Sequence, residues 1–316
     1  MAILHLNESS SGATRCSGTN GDLNALLKWA LVTNGGWTNP FTATNADIFK
    51  PASGNQLLLF VNHDSTVSGD ARYALVRGCE SATGAGTGTI TNPFPTVAQI
   101  ANASANWGVS SVASTTTRNF DIYVAPSWMF LVIFTTGSTI SDIGFFGDMS
   151  PSIAADTWCT ACSTRNLNTA PSGVLGGQMG TASATTSNLL FFVRSIDGTV
   201  NSTHASMNLD NGVTTIGNYT AGATMQNGIT ALIDRQKVSV TDSGATTTTF
   251  AAAKGHFKRA YWPNLWSPLH SGLGAVAARD TFTDTAYNAG ATFRVFAGST
   301  GSLIVEESNT WSPPVV

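Results

Sequence analysis

The sequence predicts a mainly β protein, built of antiparallel sandwich- or barrel-like modules with one or two short helices. Three observations predict it. Charged residues make up 10% of the 316-residue chain, against about 25% in ordinary globular domains. Helix surfaces are normally coated with Lys, Glu and Arg, so a chain this poor in them coats few helices. Thr, Ser, Ala, Asn and 31 glycines fill the space instead, a composition that suits strands joined by turns.

Taken in order, Ile3, Leu4, His5 and Leu6 read as a short edge strand. The first helix runs from Asp22 to Val32. Leu23, Leu26, Leu27, Ala30 and Leu31 fall at i, i+3, i+4, i+7 and i+8 and make one apolar stripe. Asn20 or Asp22 is placed to cap its start, and Asn34-Gly35-Gly36 stops it. Trp37-Thr38-Asn39-Pro40-Phe41 follows as an aromatic turn. Strands are expected over residues 57–62, 71–79, 120–125, 128–135 and 143–146. The run Trp128-Met129-Phe130-Leu131-Val132-Ile133-Phe134 is apolar throughout, far short of the roughly 20 residues of a membrane span, and reads as a strand buried on both faces. Ala125-Pro126-Ser127 is short enough to join two of these strands as a hairpin. A second short helix is expected from Thr96 to Trp107, with Val97, Ile100 and Trp107 on one side.

Residues 161–187 are rich in Gly, Ser, Thr and Ala without periodicity and read as a long loop or an arm toward a neighbouring subunit. They divide an N-terminal β-rich domain with a helix, residues 1–160, from a C-terminal β-rich domain, residues 188–316. In the second domain, strands are expected over residues 188–195, 202–209 and 213–219, with a Thr-rich hairpin over 238–249. A last hairpin joins residues 291–298 to 302–307.

Composition narrows function as well. A net charge of −3 and a pI of about 5.9 give no general attraction to nucleic acid or to anionic membranes. Residues 1–7 lack the basic start and apolar core of a secretory signal, so a soluble, unexported chain is expected. Cys159-Thr160-Ala161-Cys162 stands without the second Cys pair or spaced histidines of a zinc ribbon. With Cys16 and Cys79 these cysteines read as small buried hydrophobes, and no metal or cofactor is expected. The glycines of residues 81–88 lack the Lys-Ser/Thr ending of a phosphate loop.

Candidate chemistry is sparse. Asp142 and Asp148 flank Phe145-Phe146, Asp280 and Asp284 flank Phe282, and Glu306 and Glu307 are adjacent. A carboxylate pair of this kind is the basis of a glycoside-hydrolase alternative. His63-Asp64 is a neighbour pair without a nucleophile elbow. The richest stretch lies near the C-terminus, where Lys258, Arg259, Tyr261, Trp262, Trp266 and His270 crowd together and Trp311 follows. These seven are the candidate interface residues. Exposed rings among them also suit sugar stacking, which makes a receptor- or carbohydrate-binding module the other alternative.

Three groups of residues resemble a family of virion structural proteins of tailed bacteriophages. The first is Ser11-Gly12-Ala13, Gly18-Thr19-Asn20-Gly21-Asp22-Leu23 and Leu26-Leu27-Lys28-Trp29-Ala30-Leu31-Val32, leading to Gly36-Trp37-Thr38. The second is Phe146-Gly147-Asp148-Met149-Ser150 with Ala155-Asp156. The third comprises Arg259, Leu265-Trp266-Ser267-Pro268-Leu269-His270, Thr281-Phe282, Ala291-Thr292-Phe293 and Glu307-Ser308-Asn309-Thr310-Trp311. They occur in the family's order and span nearly the whole chain. The resemblance implies a non-enzymatic particle component, assembled in the host cytoplasm from copies of itself and other virion proteins. It brings no catalytic residues with it.

Overall fold

An apolar run such as residues 128–134 alternates its side chains between two faces, so both faces need a covering layer. The fold supplies one on each side. The computed structural model describes residues 3–98, 100–102, 105–136, 139–151, 156–166, 189–193, 203–206, 233–240, 258–268, 279–283, 290–297 and 302–308.

The chain begins with β1 (Leu4–Asn7) and helix α1 (Asp22–Leu27), which continues as a π-helical stretch over Lys28–Asn34. Next come β2 (Thr38–Ala43), β3 (Ala46–Lys50), β4 (Leu58–Asn62), the one-turn α2 (Ser65–Ser68) and β5 (Tyr73–Cys79). A small pair, β6 (Ser81–Ala82) and β7 (Ile90–Thr91), precedes β8 (Ala105–Gly108), β9 (Phe120–Val124) and β10 (Trp128–Thr136). Then follow β11 (Thr139–Asp148), β12 (Ser150–Pro151), β13 (Thr160–Asn166), β14 (Leu189–Val193), β15 (Thr203–Ser206) and β16 (Ile233–Val240). The described part closes with β17 (Lys258–Pro268), β18 (Thr281–Thr283), β19 (Thr292–Ala297) and β20 (Ser302–Glu306).

Every ladder is antiparallel, and the molecule is mainly β with a sandwich-like stacking of sheets. The central sheet runs β1–β9–β10–β11–β13–β14. A five-stranded wing, β2–β3–β4–β5–β8, joins it at β13. The start of β13 pairs with β11 and its end, Arg165 and Asn166, pairs with β8. On the other side, β14, β15, β16 and β17 follow in turn. Strand β17 pairs back onto β12, directly after β11, so these ladders close a ring.

The expected two-faced burial of β10 is observed. Met129, Leu131 and Ile133 join one core with the α1 leucines, Trp37, Phe49, Phe60 and Trp107. Trp128, Phe130, Val132 and Phe134 join a second core with Tyr123, Phe145, Phe296 and Val305. Neighbouring strands keep the alternation, with Ile122, Phe146, Cys162 and Phe192 on the first side and Tyr123, Phe145, Ala161 and Val193 on the second. The Ala125-Pro126-Ser127 hairpin closes as expected, with Ala125 N–H donating to the Trp128 carbonyl at 2.8 Å.

The first helix forms where the leucine stripe puts it, and Leu23, Leu26, Leu27, Ala30 and Leu31 are all buried. Its start differs from expectation. Neither Asn20 nor Asp22 caps it; Gly21 stands at the cap position with φ 85°. The Leu23 N–H is taken by Nδ1 of His63, 40 residues away in the chain. At the other end the Asn34 side chain donates to the Trp29 carbonyl at 2.7 Å. Among the described residues no helix is long and apolar enough to cross a membrane.

Three further expectations are corrected. The loop expected from residue 161 begins instead as strand β13, because β11, β14 and β8 offer residues 160–166 partners that override their small-residue composition. The helix from Thr96 to Trp107 does not form. Single turns, Ile100 N–H on Thr96 and Ala105 N–H on Ala101, are present, but residues 105–108 are strand β8. The buried Arg77 guanidinium takes the carbonyls of Pro95 and Ile100, which a helix would have used in its own ladder. Trp107 donates its indole N–H to the Ser163 carbonyl at 2.7 Å, so long-range pairing overrides a short helical period. The aromatic turn at Trp37 to Phe41 is instead the start of β2. Pro40 is tolerated there because β2 is a sheet edge. The register slips between Thr38 and Phe41, and the Asn39 amide bonds the Ile48 carbonyl at 2.7 Å.

Gly147 marks the corner where β11 leaves β10. Its φ is 135°, and an added Cβ would lie 2.3 Å from both Ser127 O and Trp128 Cα. Both are backbone atoms and have little room to move. Gly147→Ala is therefore expected to lower the unfolding free energy by more than about 2 kcal/mol, measured as a shift in the urea midpoint at unchanged slope.

Candidate functional site

Asp142 and Asp148, the first carboxylates singled out in the sequence, are occupied with backbone. Asp142 is buried, accepts the Gly108 N–H on Oδ2, and accepts the Ile143 N–H on Oδ1 at 2.8 Å. Asp148 accepts the Asn55 N–H at 2.7 Å and the Thr160 hydroxyl. Burial pushes its carboxyl above the ordinary range, against the pull of those hydrogen bonds. The register of β11 on β10 is unbroken from Asp142 to Gly147. Six residues of strand separate the two acids by about 20 Å, well beyond the roughly 5–10 Å that a catalytic pair spans. Asp142 and Asp148 therefore do not form a hydrolytic pair. Asp280 is exposed, and Asp284 lies outside the described residues.

His63 and Asp64 are equally committed. The His63 ring is fully buried. Its Nδ1 accepts from Leu23 N–H at 3.1 Å, so Nε2 carries the proton and donates to the Ala71 carbonyl at 2.8 Å. Asp64 caps α2 through the Thr66 N–H at 2.9 Å. The pair ties the start of α1 to the β4–β5 connection.

The C-terminal aromatic stretch lies on a strand. Lys258, Arg259, Tyr261, Trp262 and Trp266 all belong to β17, which pairs along one side with β16. Its other side pairs first with β12, at Ala260 and Tyr261, and then with β20, at Leu265 and Trp266. The change of partner coincides with an irregularity: β16 passes from Arg235 to Lys237 while β17 passes from Trp266 to Tyr261. His270 and Trp311 lie outside the described residues, as does the strand expected over 213–219. Of the Thr-rich hairpin expected over 238–249, the described part ends with β16 at Val240.

One group of residues was not found by reading the sequence as a site. Only 15 basic and 18 acidic side chains exist in the chain, yet Glu8, Asp121, Arg279, Arg294 and Glu307 gather in one place with His5 and Tyr123. Arg279 donates from Nε to Asp121 at 2.7 Å and from both Nη atoms to Glu8 at 2.8 Å. His5 Nε2 lies 2.7 Å from Asp121, and its ring stacks on Tyr123 at 4.5 Å. Tyr123 donates its hydroxyl to Glu307 at 2.8 Å, and Arg294 donates to the same carboxylate at 2.6 Å. Asp121 has no exposed side-chain surface; burial works to raise its pKa, but hydrogen bonds from His5 and Arg279 hold it below the ordinary range. Burial and the Glu307 charge push the Tyr123 phenol well upward, so it serves as a hydrogen-bond donor.

Arg279 itself adopts φ 76°, a left-handed conformation that costs a non-glycine residue about 1–2 kcal/mol. Arg294 and Glu307 are 13 positions apart, but the other partners come from distant parts of the chain, Glu8 and Arg279 being 271 apart. Their one local signal is that so few charges exist at all.

All four cysteines are buried. Burial pushes the Cys16 and Cys162 thiols up to about 12, which leaves them protonated and unreactive. Among the described residues no three His, Cys, Asp or Glu side chains gather to hold a metal ion.

The buried His63 generates a pH dependence. Burial lowers its pKa below the ordinary value of 6.5, so below that pH the unfolded chain takes up a proton that the folded chain refuses. Its stabilising effect is complete above about pH 6.5 and is lost as pH falls toward the folded-state value. Unfolding free energy is expected to fall between pH 7 and pH 5, with a shallower slope in His63→Gln, followed by urea denaturation across that range. Neither protein-family models nor curated proteins match the chain.

Proposed function

We propose that this chain is a non-enzymatic structural component of a tailed-phage particle, held there in repeated copies beside other virion proteins. The observation that carries the reading is the use made of its reactive side chains. His63, Asp64, Asp142 and Asp148 all hold backbone in place, and Asp121 and Glu307 sit in ion pairs. Side chains that would serve catalysis are occupied with architecture.

The residues that carry the phage-protein resemblance fit the same reading. Gly21 starts α1, and Leu23, Leu26, Leu27, Ala30 and Leu31 anchor it. Gly147 and Asp148 fix the corner between β10, β11 and β13. Leu265 and Trp266 are the residues at which β17 meets β20. A rigid multilayer β body with few charges suits packing against copies of itself. Many modest contacts then add up to strong retention through avidity. Head decoration, neck or collar part and tail or baseplate accessory are all compatible with it.

The test is to size the purified chain by light scattering and add it to particles that lack it. Discrete oligomers that dock at fixed positions are the expected outcome. A persistent monomer that ignores particles overturns the reading in favour of receptor or carbohydrate binding. Trp266→Ala is expected to reduce incorporation about tenfold or more, the effect of losing a large aromatic anchor. Incorporation equal to that of the unsubstituted chain would remove β17 from the interface.

A further inference from the structure

Strands β18, β19 and β20 form an antiparallel meander that covers the second face of the central sheet. The Phe296 ring lies 6.1–6.4 Å from the rings of Tyr123, Phe130 and Phe134. Among the described residues the meander joins the other strands through two register pairs alone, Leu265 with Val305 and Trp266 with Ile304. Packing and side-chain charges therefore do most of the fastening.

Those charges divide between the two sides. The meander side of the seam is made by Arg279, Arg294 and Glu307, while Asp280 and Glu306 also lie on the meander and its flanks. The sheet and its N-terminal strand carry Glu8 and Asp121, two negative charges, with His5 and Tyr123 beside them.

Arg279 joins the sides. Its backbone belongs to the meander, since its N–H donates to Val295 O at 2.8 Å and its carbonyl accepts from Arg294 Nη1 at 2.9 Å. Its side chain belongs to the sheet, reaching Asp121, Glu8 and, at 3.0 Å, the Phe120 carbonyl. The guanidinium also stands 4.8 Å from the Phe134 ring centre, a cation–π contact. Glu307 makes the second tie, to Tyr123 at 2.8 Å and to His5 at 3.4 Å.

We propose that the β18–β20 meander is a latched lid over the aromatic face of the central sheet. It opens as a unit while the rest of the fold stays closed, with Arg279 as the latch and ionic strength as the control. The inference goes beyond the particle role and does not depend on it. Glu8 and Arg279 are 30% and 23% exposed, open enough for salt to screen their attraction. A unit held, among the described residues, by two register pairs, the packing of Phe296 and Val305 and a charge seam opens at a lower cost than the central sheet.

Hydrogen exchange on the full chain tests this, at 0.1 M and 1 M NaCl and in the Glu8→Gln and Arg279→Gly variants. Glycine adopts φ 76° without strain, so Arg279→Gly removes the latch while relieving the backbone. Amides of β19 and β20 are expected to exchange about tenfold faster in both variants and in 1 M salt, with β10 amides unchanged. Binding of a hydrophobic dye should rise in parallel as the aromatic face is uncovered. Acceleration of β10 and β19 together means global unfolding only and overturns the lid. Unchanged β19 and β20 exchange in both variants overturns the latch, and faster exchange without dye binding overturns the uncovering of the face.

Discussion

Two-faced burial of the central sheet is the constraint on which the rest depends. A strand such as β10, apolar at every position from Trp128 to Phe134, has no side that tolerates water. Each buried large side chain contributes about 1.5–3 kcal/mol relative to exposure, so leaving either face open would cost more than a domain's usual margin of stability. One face is covered by α1, its π-helical continuation and the β2–β5, β8 wing. The other is covered by the last described strands, β19 and β20. The order of the elements in space follows from this need for two covers.

Polar groups serve the same end. Helix α1 borrows its N-terminal acceptor from His63, and the carbonyls around Pro95 and Ile100 are held by Arg77. The Trp37 and Trp107 indoles each donate to a distant carbonyl, that of Ala125 in the β9–β10 hairpin and that of Ser163 on β13. Long-range bonds of this sort satisfy groups that local structure leaves open. They also explain why His63, Asp142 and Asp148, which invite a catalytic reading, are tied into the architecture. Burial lowers the Arg77 pKa to about 10, a measure of how far that charge is removed from water.

Charge, scarce overall, is concentrated at a seam. The seam joins the N-terminal segment, the central sheet and the last hairpin, and so bridges distant parts of the chain, Glu8 and Arg279 being 271 residues apart. Pairing of Arg279 with Glu8 and Asp121 across it favours closure. Partial exposure leaves that closure sensitive to solvent ions, which gives a β protein with few charges one place where its surroundings can act on its layers.

Local sequence alone was enough for the β class, the leucine helix after Gly21, the doubly buried strand at Trp128–Phe134, the hairpin at Pro126 and the antiparallel pairing of β19 with β20. Each rests on local periodicity or turn chemistry, which neighbouring residues carry in full. It missed β2 and β3, placed a helix where β8 runs, read most of β13 as loop, and passed over the charge seam. Tertiary structure decided those because their causes lie elsewhere in the chain. Strand β8 forms because β5 and β13 offer it partners, and Pro40 sits in β2 because that strand lies at a sheet edge. The seam exists because stacking the layers brings Glu8, Asp121 and Arg279 together. Attraction between side chains so far apart in sequence leaves no pattern along the chain, since it acts only once the fold has closed the distance.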